Sequence, residues 1–157
     1  MIKHMAILAL AAVAPLALAQ GSDRGNATLA VGGKSFAVEY GRPSLKGRDM
    51  LGQAKVGDEW RMGSNAATTW KGDADVAFGA VNVAKGEYQL KARRDGEDKW
   101  TLLFKQDGKT VAEVPLVLGA VKESVETLTL ALREAKGGGE FEMTWGTTSL
   151  KAAFKLR

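Results

Sequence analysis

Apolar and polar residues alternate along most of this chain, and this alternation constrains the fold more than any other feature. Residues 35–40 read SFAVEY, residues 88–93 read YQLKAR, and residues 140–145 read EFEMTW. Successive side chains of a strand point to opposite faces, so a period of two indicates strands with one buried face. No convincing helical stripe follows the N-terminal segment, although a short helix over Arg48–Ala54 or Ala120–Val125 is compatible with the sequence. We therefore expect an all-β protein.

Turn signals divide the alternating segments into roughly nine to ten short strands. Gly32-Gly33 and Asp107-Gly108 are two-residue hairpin signals, and Gly137-Gly138-Gly139 interrupts the chain again. Many short strands joined by turns are typical of a sandwich or a barrel. We predict a single-domain antiparallel β-sandwich, because the alternating faces favour two sheets packed face to face. A closed β-barrel stays open as the alternative, since periodicity does not distinguish the two.

The N-terminus has the pattern of a cleaved signal peptide. A basic head with Lys3 precedes the apolar run Ala6–Leu18, which is too short to remain as a membrane-spanning anchor. Ala17-Leu18-Ala19 is the small-x-small pattern that signal peptidase reads, so cleavage is expected before Gln20. The expected organisation is a signal peptide at 1–19, a flexible lead-in at 20–26 and the β-sandwich domain at 27–157. We therefore expect an exported protein, periplasmic or extracellular, that does not span the membrane.

The residue inventory excludes several kinds of catalytic site. His4 is the single histidine and the chain has no cysteine, so the exported form would contain neither residue type. This excludes a Ser-His-Asp triad, a cysteine nucleophile and ordinary zinc or copper sites. We expect no cofactor and no metal site. The formal net charge of +4 is spread among interspersed acidic and basic residues, which argues against a nucleic-acid partner.

The segment from Tyr40 to Trp70 departs from the strand pattern and is the candidate functional region. It reads YGRPSLKGRDMLGQAKVGDEWRMGSNAATTW, with cationic and hydroxyl side chains between glycines. Long loops in compact domains are usually functional, and arginine forks suit carboxylates, phosphates and sulfated sugars. The same side chains could instead hold the loop by bonding its carbonyl groups, and both interpretations stay open. The predicted ligand-binding residues are Arg42, Lys46, Arg48, Arg61, Asn65 and Thr68.

Four motifs in this chain resemble those of a known family. They are YGRPSLKGR at 40–48, WRMGSNAATT at 60–69, KGEYQL at 85–90 and WTLLF at 100–104. The chain is similar over most of its length to the exported bacterial proteins of domain-of-unknown-function family number twenty-nine eleven. The resemblance implies a mostly β, extracytoplasmic domain with no established activity.

The chain departs from that family pattern at three places. Ala66 stands where the family commonly has glutamate, and Lys105 stands where it commonly has asparagine. An insertion found in many members is reduced here to residues 106–108. If relatives use that glutamate or that insertion in a site, the resemblance implies that this chain has lost part of it.

Three functional hypotheses follow, of which the first is preferred. The protein is a non-catalytic binding domain of the cell envelope, which holds a small anionic or hydroxylated ligand or an envelope partner at the 40–70 loop. Alternatively it is a purely structural or interaction protein whose loop residues organise the fold. A hydrolase using carboxylates such as Glu140 and Glu142, or a metal-bound water, is the least supported, so the enzyme question stays open and leans towards no. Ligand identity and oligomeric state are not determined by the sequence.

Overall fold

The computed structural model describes residues 24–157. The predicted signal peptide and residues 20–23 of the predicted lead-in lie outside the described residues. Residues 24–26, which belong to the same expected lead-in, already form the start of the first strand and pair with residues 39–41.

The described chain is all-β, as predicted. Neither segment with which a short helix was compatible is helical, because Arg48–Ala54 forms turns and Ala120–Val125 lies inside a strand. The ten strands are β1 Arg24–Val31, β2 Lys34–Gly41, β3 Glu59–Trp60, β4 Thr69–Gly72, β5 Val76–Phe78, β6 Val81–Val83, β7 Gly86–Arg94, β8 Trp100–Gln106, β9 Lys109–Ala135 and β10 Gly138–Leu156.

The hairpin signals of the sequence form the turns that they predict. Gly32 and Gly33 join β1 to β2 with φ angles of 57° and 74°. Asp107 and Gly108 join β8 to β9 with φ angles of 50° and 76°. Two successive positive φ angles match the right-handed twist of the flanking strands, so these turns fix the register of both hairpins.

The strands form two antiparallel sheets that share β9. The strand order is β1-β2-β4-β7-β8-β9-β10-β5-β6, with β3 paired to β7 outside this path. The first sheet runs from β1 to β9, and the second consists of β9, β10, β5 and β6. The sheet is not closed into a barrel, so the sandwich prediction is confirmed and the barrel alternative is not.

The long hairpin of β9 and β10 is folded in half. Glu142 and Lys151 are nine positions apart on β10, yet Lys151 Nζ lies 3.4 Å from Glu142 Oε2. A straight strand would separate their Cα atoms by about 30 Å. The register shifts on either side of Gly146, whose φ is 62°, so the bend lies there. The two ends of β10 meet, and the Leu156 N–H donates to the Gly137 carbonyl at 3.0 Å.

Aromatic side chains from the two sheets interlock to form the core. Trp70 contacts four other rings at centroid distances of 5.5 to 6.0 Å in the core interior: Phe36, Phe78, Phe104 and Phe154. Phe36 of β2 also contacts Phe154, at 5.4 Å. Each fully buried side chain of this size contributes about 1.5–3 kcal/mol. The chain contains no cysteine, so this packing stabilises the fold without disulfides.

The close approach of the two ends of β10 predicts a strong effect at Gly138. A Cβ added there would lie 2.1 Å from the Phe154 carbonyl oxygen, which is backbone and has no freedom to move aside. We expect Gly138→Ala to lower the free energy of unfolding by about 2–3 kcal/mol, measured by urea denaturation. Gly96→Ala is the matched control, because its nearest contact would be an ordinary 3.7 Å. Equal stabilities of the two variants would contradict the folded-over β10.

Candidate binding site at the long loop

The loop between β2 and β3 is ordered because it adds to the free side of β9. Ser44 forms an isolated antiparallel bridge with Thr127. The Leu45 N–H donates to the Glu126 carbonyl at 2.9 Å, and the Leu128 N–H donates to the Pro43 carbonyl at 2.9 Å. This part of the loop therefore behaves as a very short additional strand.

The carboxylate of Glu126 holds the next turn of the loop. Its two oxygens accept hydrogen bonds from the backbone N–H groups of Leu45 and Lys46 at 3.1 Å and 3.2 Å. Lys46 has a φ of 52°, which is uncommon for a residue with a side chain. The carboxylate stabilises this conformation by satisfying the Lys46 N–H and by giving the Leu45 N–H a second acceptor beside the Glu126 carbonyl.

Arg42 fixes the start of the loop to the same strand. Its Nε donates to the Leu128 carbonyl at 3.1 Å, and its Nη2 donates to Thr129 Oγ1 at 3.2 Å. Both bonds are partly buried, and a charged donor strengthens them. This predicted binding residue therefore uses its guanidinium to hold the fold.

The other predicted site residues fall in two separate places, one around Arg48 and one around Arg61 and Asn65. Arg48 Nε donates to the Leu45 carbonyl at 3.1 Å, and Arg61 Nη1 donates to the Asn65 carbonyl at 2.7 Å. Thr68 is fully buried, and its hydroxyl donates to the Met62 carbonyl at 3.0 Å. Arg48 and Arg61 line different cavities. The structure thus does not gather the six predicted residues into one cleft.

One cavity does lie beneath the loop, and we call it the loop cavity. It has a volume of about 320 Å³ and is open between the loop and the bend of the β9–β10 hairpin. The loop lines one wall with Leu45, Arg48, Asp49, Met50 and Leu51; the hairpin lines the other with Ser124, Trp145, Gly146, Thr147 and Thr148.

The hairpin wall of the loop cavity exists because the β-ladder is interrupted. Val125 pairs with Gly146 and Ala120 pairs with Thr148, so residues 121–124 of β9 stand opposite Thr147 alone. Bulges of this kind re-aim side chains and are over-represented next to functional sites. Here the irregularity places Ser124, Thr147 and Thr148 in the cavity lining.

Trp145 is held rigidly at this wall. Its Nε1–H donates to the Glu126 carbonyl at 3.1 Å. Its ring stacks on that of Trp60, with centroids 5.7 Å apart and planes 8° from parallel. Trp60 marks the start of a recognised motif, and its partner proves to be this residue of β10.

Some polar groups of the loop cavity form hydrogen bonds within the protein, and others do not. Asp49 Oδ1 accepts the Gly52 N–H at 2.9 Å, so this carboxylate caps the loop. Arg48 uses Nε for its bond to Leu45, and its terminal nitrogens have no hydrogen-bond partner among residues 24–157. The arrangement offers a guanidinium fork and several hydroxyls to a small ligand. Sequence reasoning identified Arg48 but missed the hydroxyl residues, since the alternation of β10 gave no sign of the bulge.

The carboxylate pair considered for hydrolysis is engaged in ion pairs. Arg133 Nη1 lies 2.6 Å from Glu142 Oε1 and 4.0 Å from Glu140 Oε1. Lys151 Nζ also lies 3.4 Å from Glu142 Oε2. The buried Glu142 is therefore paired with two cations, Arg133 of β9 and Lys151 of the other half of β10.

Two carboxylates of the first sheet have lowered pKa values. A hydrogen bond from Lys105, with Nζ 2.6 Å from Oε1, lowers the pKa of Glu59 against the opposing effect of burial. Burial raises the pKa of Asp95, but hydrogen bonds from Thr101 and Arg93 outweigh it and the net shift is downward. Because their pKa values are lower in the folded than in the unfolded state, both groups stabilise the fold at neutral pH. That stabilisation is lost as the pH falls below about 4.

The described residues were compared with what a metal site and a membrane-spanning helix require. Within residues 24–157, no group of three or more His, Cys, Asp or Glu side chains is arranged to hold a metal ion. Over the same range, no helix has the length and apolar character needed to cross a bilayer.

Comparison with known proteins assigns a family but no activity. A family model described as "Protein of unknown function (DUF2911)" matches residues 22–154. The match covers nearly all of the described chain and agrees with the resemblance seen in its motifs. No curated protein and no solved structure matches the chain.

The contacts of the loop arginines predict that they contribute unequally to stability. Arg42→Met removes two partly buried, charge-assisted bonds and is expected to lower the free energy of unfolding by about 1.5–3 kcal/mol. Arg61→Met removes one exposed bond and is expected to cost about 0.5 kcal/mol or less. Urea denaturation of both variants measures the difference. An Arg42→Met protein as stable as Arg61→Met would show that the contacts of Arg42 do not hold the loop.

Proposed function

The chain belongs to the DUF2911 family, whose description assigns no activity, and we propose from the loop cavity that it is an exported, non-catalytic binding domain of the cell envelope. Its ligand is small and carries both an anionic group and hydroxyls. The 40–70 loop provides one side of the site, and the bend of the β9–β10 hairpin provides the other.

The observation that carries this proposal is the combination of groups in the loop cavity. The terminal nitrogens of Arg48 have no partner among the described residues, and they share the cavity with Ser124, Thr147 and Thr148. A guanidinium fork recognises a carboxylate or phosphate, and hydroxyls both donate to and accept from ligand hydroxyls. Trp145 is buried and stacked on Trp60, so it fixes the apolar base of the cavity rather than offering a free ring face.

The size of the cavity narrows the ligand class. Ligand pockets typically have about 300–1,000 Å³, and the loop cavity with about 320 Å³ is at the lower end of that range. A sugar acid or a similar hydroxy acid of monosaccharide size fits this volume and the polar groups around it.

The groups around the cavity support binding better than catalysis. Asp49 is the one carboxylate in the described lining, and its Oδ1 is occupied by the Gly52 N–H. A general base needs to reach the proton that it abstracts, and a nucleophile needs a base beside it. Neither pairing is present in the described wall of this cavity.

A structural or interaction role is the second candidate, and a specific observation favours it. Arg42 and Glu126 both direct their charged groups to the protein's own backbone, which is the behaviour expected of a loop that organises the fold. Under this alternative, Arg48 holds the Leu45 carbonyl and no small ligand binds.

Binding of a sugar acid tests the proposal. Glucuronate and galacturonate are expected to bind, and glucose is expected to bind at least about tenfold more weakly because it lacks the charge-assisted bond. Titrations followed by amide NMR shifts measure both affinities. Arg48→Met and Thr148→Val, on opposite walls, are each expected to weaken sugar-acid binding.

Arg61→Met is the matched control for that experiment, because Arg61 lies at a different cavity. It is expected to leave the affinity unchanged. No amide shifts with any sugar acid at about 10 mM would overturn the binding proposal and favour the structural role. Equal losses in Arg48→Met and Arg61→Met would also count against a site in the loop cavity.

Export is the other part of the proposal, and it has its own test. Expression of the full chain in a Gram-negative host is expected to give a periplasmic protein whose N-terminus is Gln20, as read by intact mass. Ala19→Phe places a bulky residue at the cleavage position and is expected to leave the precursor uncleaved. Ala12→Leu keeps the apolar run and should be processed normally. Recovery of a cytoplasmic wild-type protein that retains residues 1–19 would refute export.

A further inference from the structure

The outer face of the first sheet carries a row of polar side chains across four strands. Glu39, Thr69, Gln89 and Lys105 are successive cross-strand partners on β2, β4, β7 and β8. At a strand spacing of about 4.8 Å, the row extends over about 14 Å. This face lies opposite the aromatic core, because the neighbouring residues on each strand point inward.

A groove follows this row and continues beyond it. One depression, of about 670 Å³, contains the row itself. A second, of about 710 Å³, extends towards β1 and shares Ala37 and Lys71 with the first. We call the two together the strand groove. The strand groove is separate from the loop cavity, because no residue lines both of them.

The centre of the row is free to bind. Within residues 24–157, the side chains of Glu39, Thr69 and Gln89 form no hydrogen bond or ion pair. They offer a carboxylate, a hydroxyl and an amide, a set that can accept from and donate to neighbouring hydroxyl groups of one ligand.

Three of the seven charged residues that line the groove form ion pairs within the described part of the chain. Lys71 Nζ lies 3.3 Å from Glu87 Oε1, and Lys105 Nζ lies 2.6 Å from Glu59 Oε1. Glu39 and Asp107 have no ion-pair partner among the described residues, so the lining has a slight negative excess. A polyanion would be repelled by these carboxylates, whereas an uncharged ligand would not.

The floor of the groove is flat where it approaches β1. Ala37 of β2 and Ala30 of β1 lie on this outer face, whereas Gly72 and Gly86 are in the core-facing register and contribute backbone only. The short alanine side chains allow a ring to lie close to the backbone, and Leu29, on the opposite side of β1, packs against the core. The groove therefore combines an apolar floor with a row of hydrogen-bonding groups.

We propose that the strand groove is a second binding site, which takes an uncharged oligosaccharide lying across the strands. Its hydroxyls bond to Glu39, Thr69 and Gln89, and the carbon face of a ring packs over Ala30 and Ala37. The open length of the groove favours a chain of several rings, in contrast to the single small ligand proposed for the loop cavity. The two proposals are independent, because different residues carry them.

Titration of the full mature domain with cellohexaose and xylohexaose tests this site. Amide NMR shifts are expected to concentrate at residues 37–39, 69–71 and 87–89. Gln89→Ala and Glu39→Gln are each expected to weaken binding about fivefold, the effect of one ordinary hydrogen bond. Glu134→Gln is the matched control, because Glu134 is exposed on the far half of β9 and should leave the affinity unchanged.

Each other outcome would overturn the proposal. No shifts with either hexasaccharide at about 10 mM would show that the groove does not bind uncharged glycans. Binding of pentalysine instead, lost in Glu39→Gln, would indicate a site for cationic peptides. Shifts confined to Arg48 and Thr148 would assign the sugar to the loop cavity. Because Arg48→Met should leave hexasaccharide binding intact, failure at one site is distinguishable from failure at the other.

Discussion

The bend in the β9–β10 hairpin is the constraint on which the rest of this structure depends. The hairpin contributes strands to both halves of the sandwich, because its first half continues the first sheet and its return passes to β5. Gly146, with a φ of 62°, allows the change of direction at little steric cost. The same bend brings the ends of β10 together and carries Phe154 into the aromatic core. It also opens the wall on which Ser124, Thr147 and Thr148 lie.

The charged residues of the long loop show how an arginine-rich segment can serve the fold. A loop that crosses the open side of a strand exposes backbone donors and acceptors that need partners. Arg42 supplies donors to β9, and the Glu126 carboxylate accepts from the loop in return. This reciprocal arrangement leaves Arg48 as the predicted arginine that lines the loop cavity. The anionic half of the proposed ligand specificity therefore depends on its terminal nitrogens.

The alternation of apolar and polar residues predicted most of the strands. It did not predict the part of β9 in which the β-ladder is irregular. Residues 120–125 have no clear two-residue period in the sequence, so a short helix was compatible with them. In the structure they lie at the irregular part of the β9–β10 ladder, where regular alternation is not required. The sequence could suggest that Trp145 is buried, but its stacking on Trp60 joins residues that are far apart in the chain. Thr68 looked like a ligand-binding hydroxyl, whereas it satisfies the Met62 carbonyl inside the core. A lone sequence gives no information on which of these partners a polar side chain meets.

The sequence by itself determined the all-β class, the two hairpin turns and the absence of histidine and cysteine chemistry after residue 19. These features are local or compositional, since alternation and turn residues act within a few positions of the chain. The tertiary structure alone decided where β10 bends, which arginines bond to backbone and which polar residues share a cavity. Those outcomes depend on contacts between residues such as Arg42 and Leu128, which lie 86 positions apart and meet when the sheets pack.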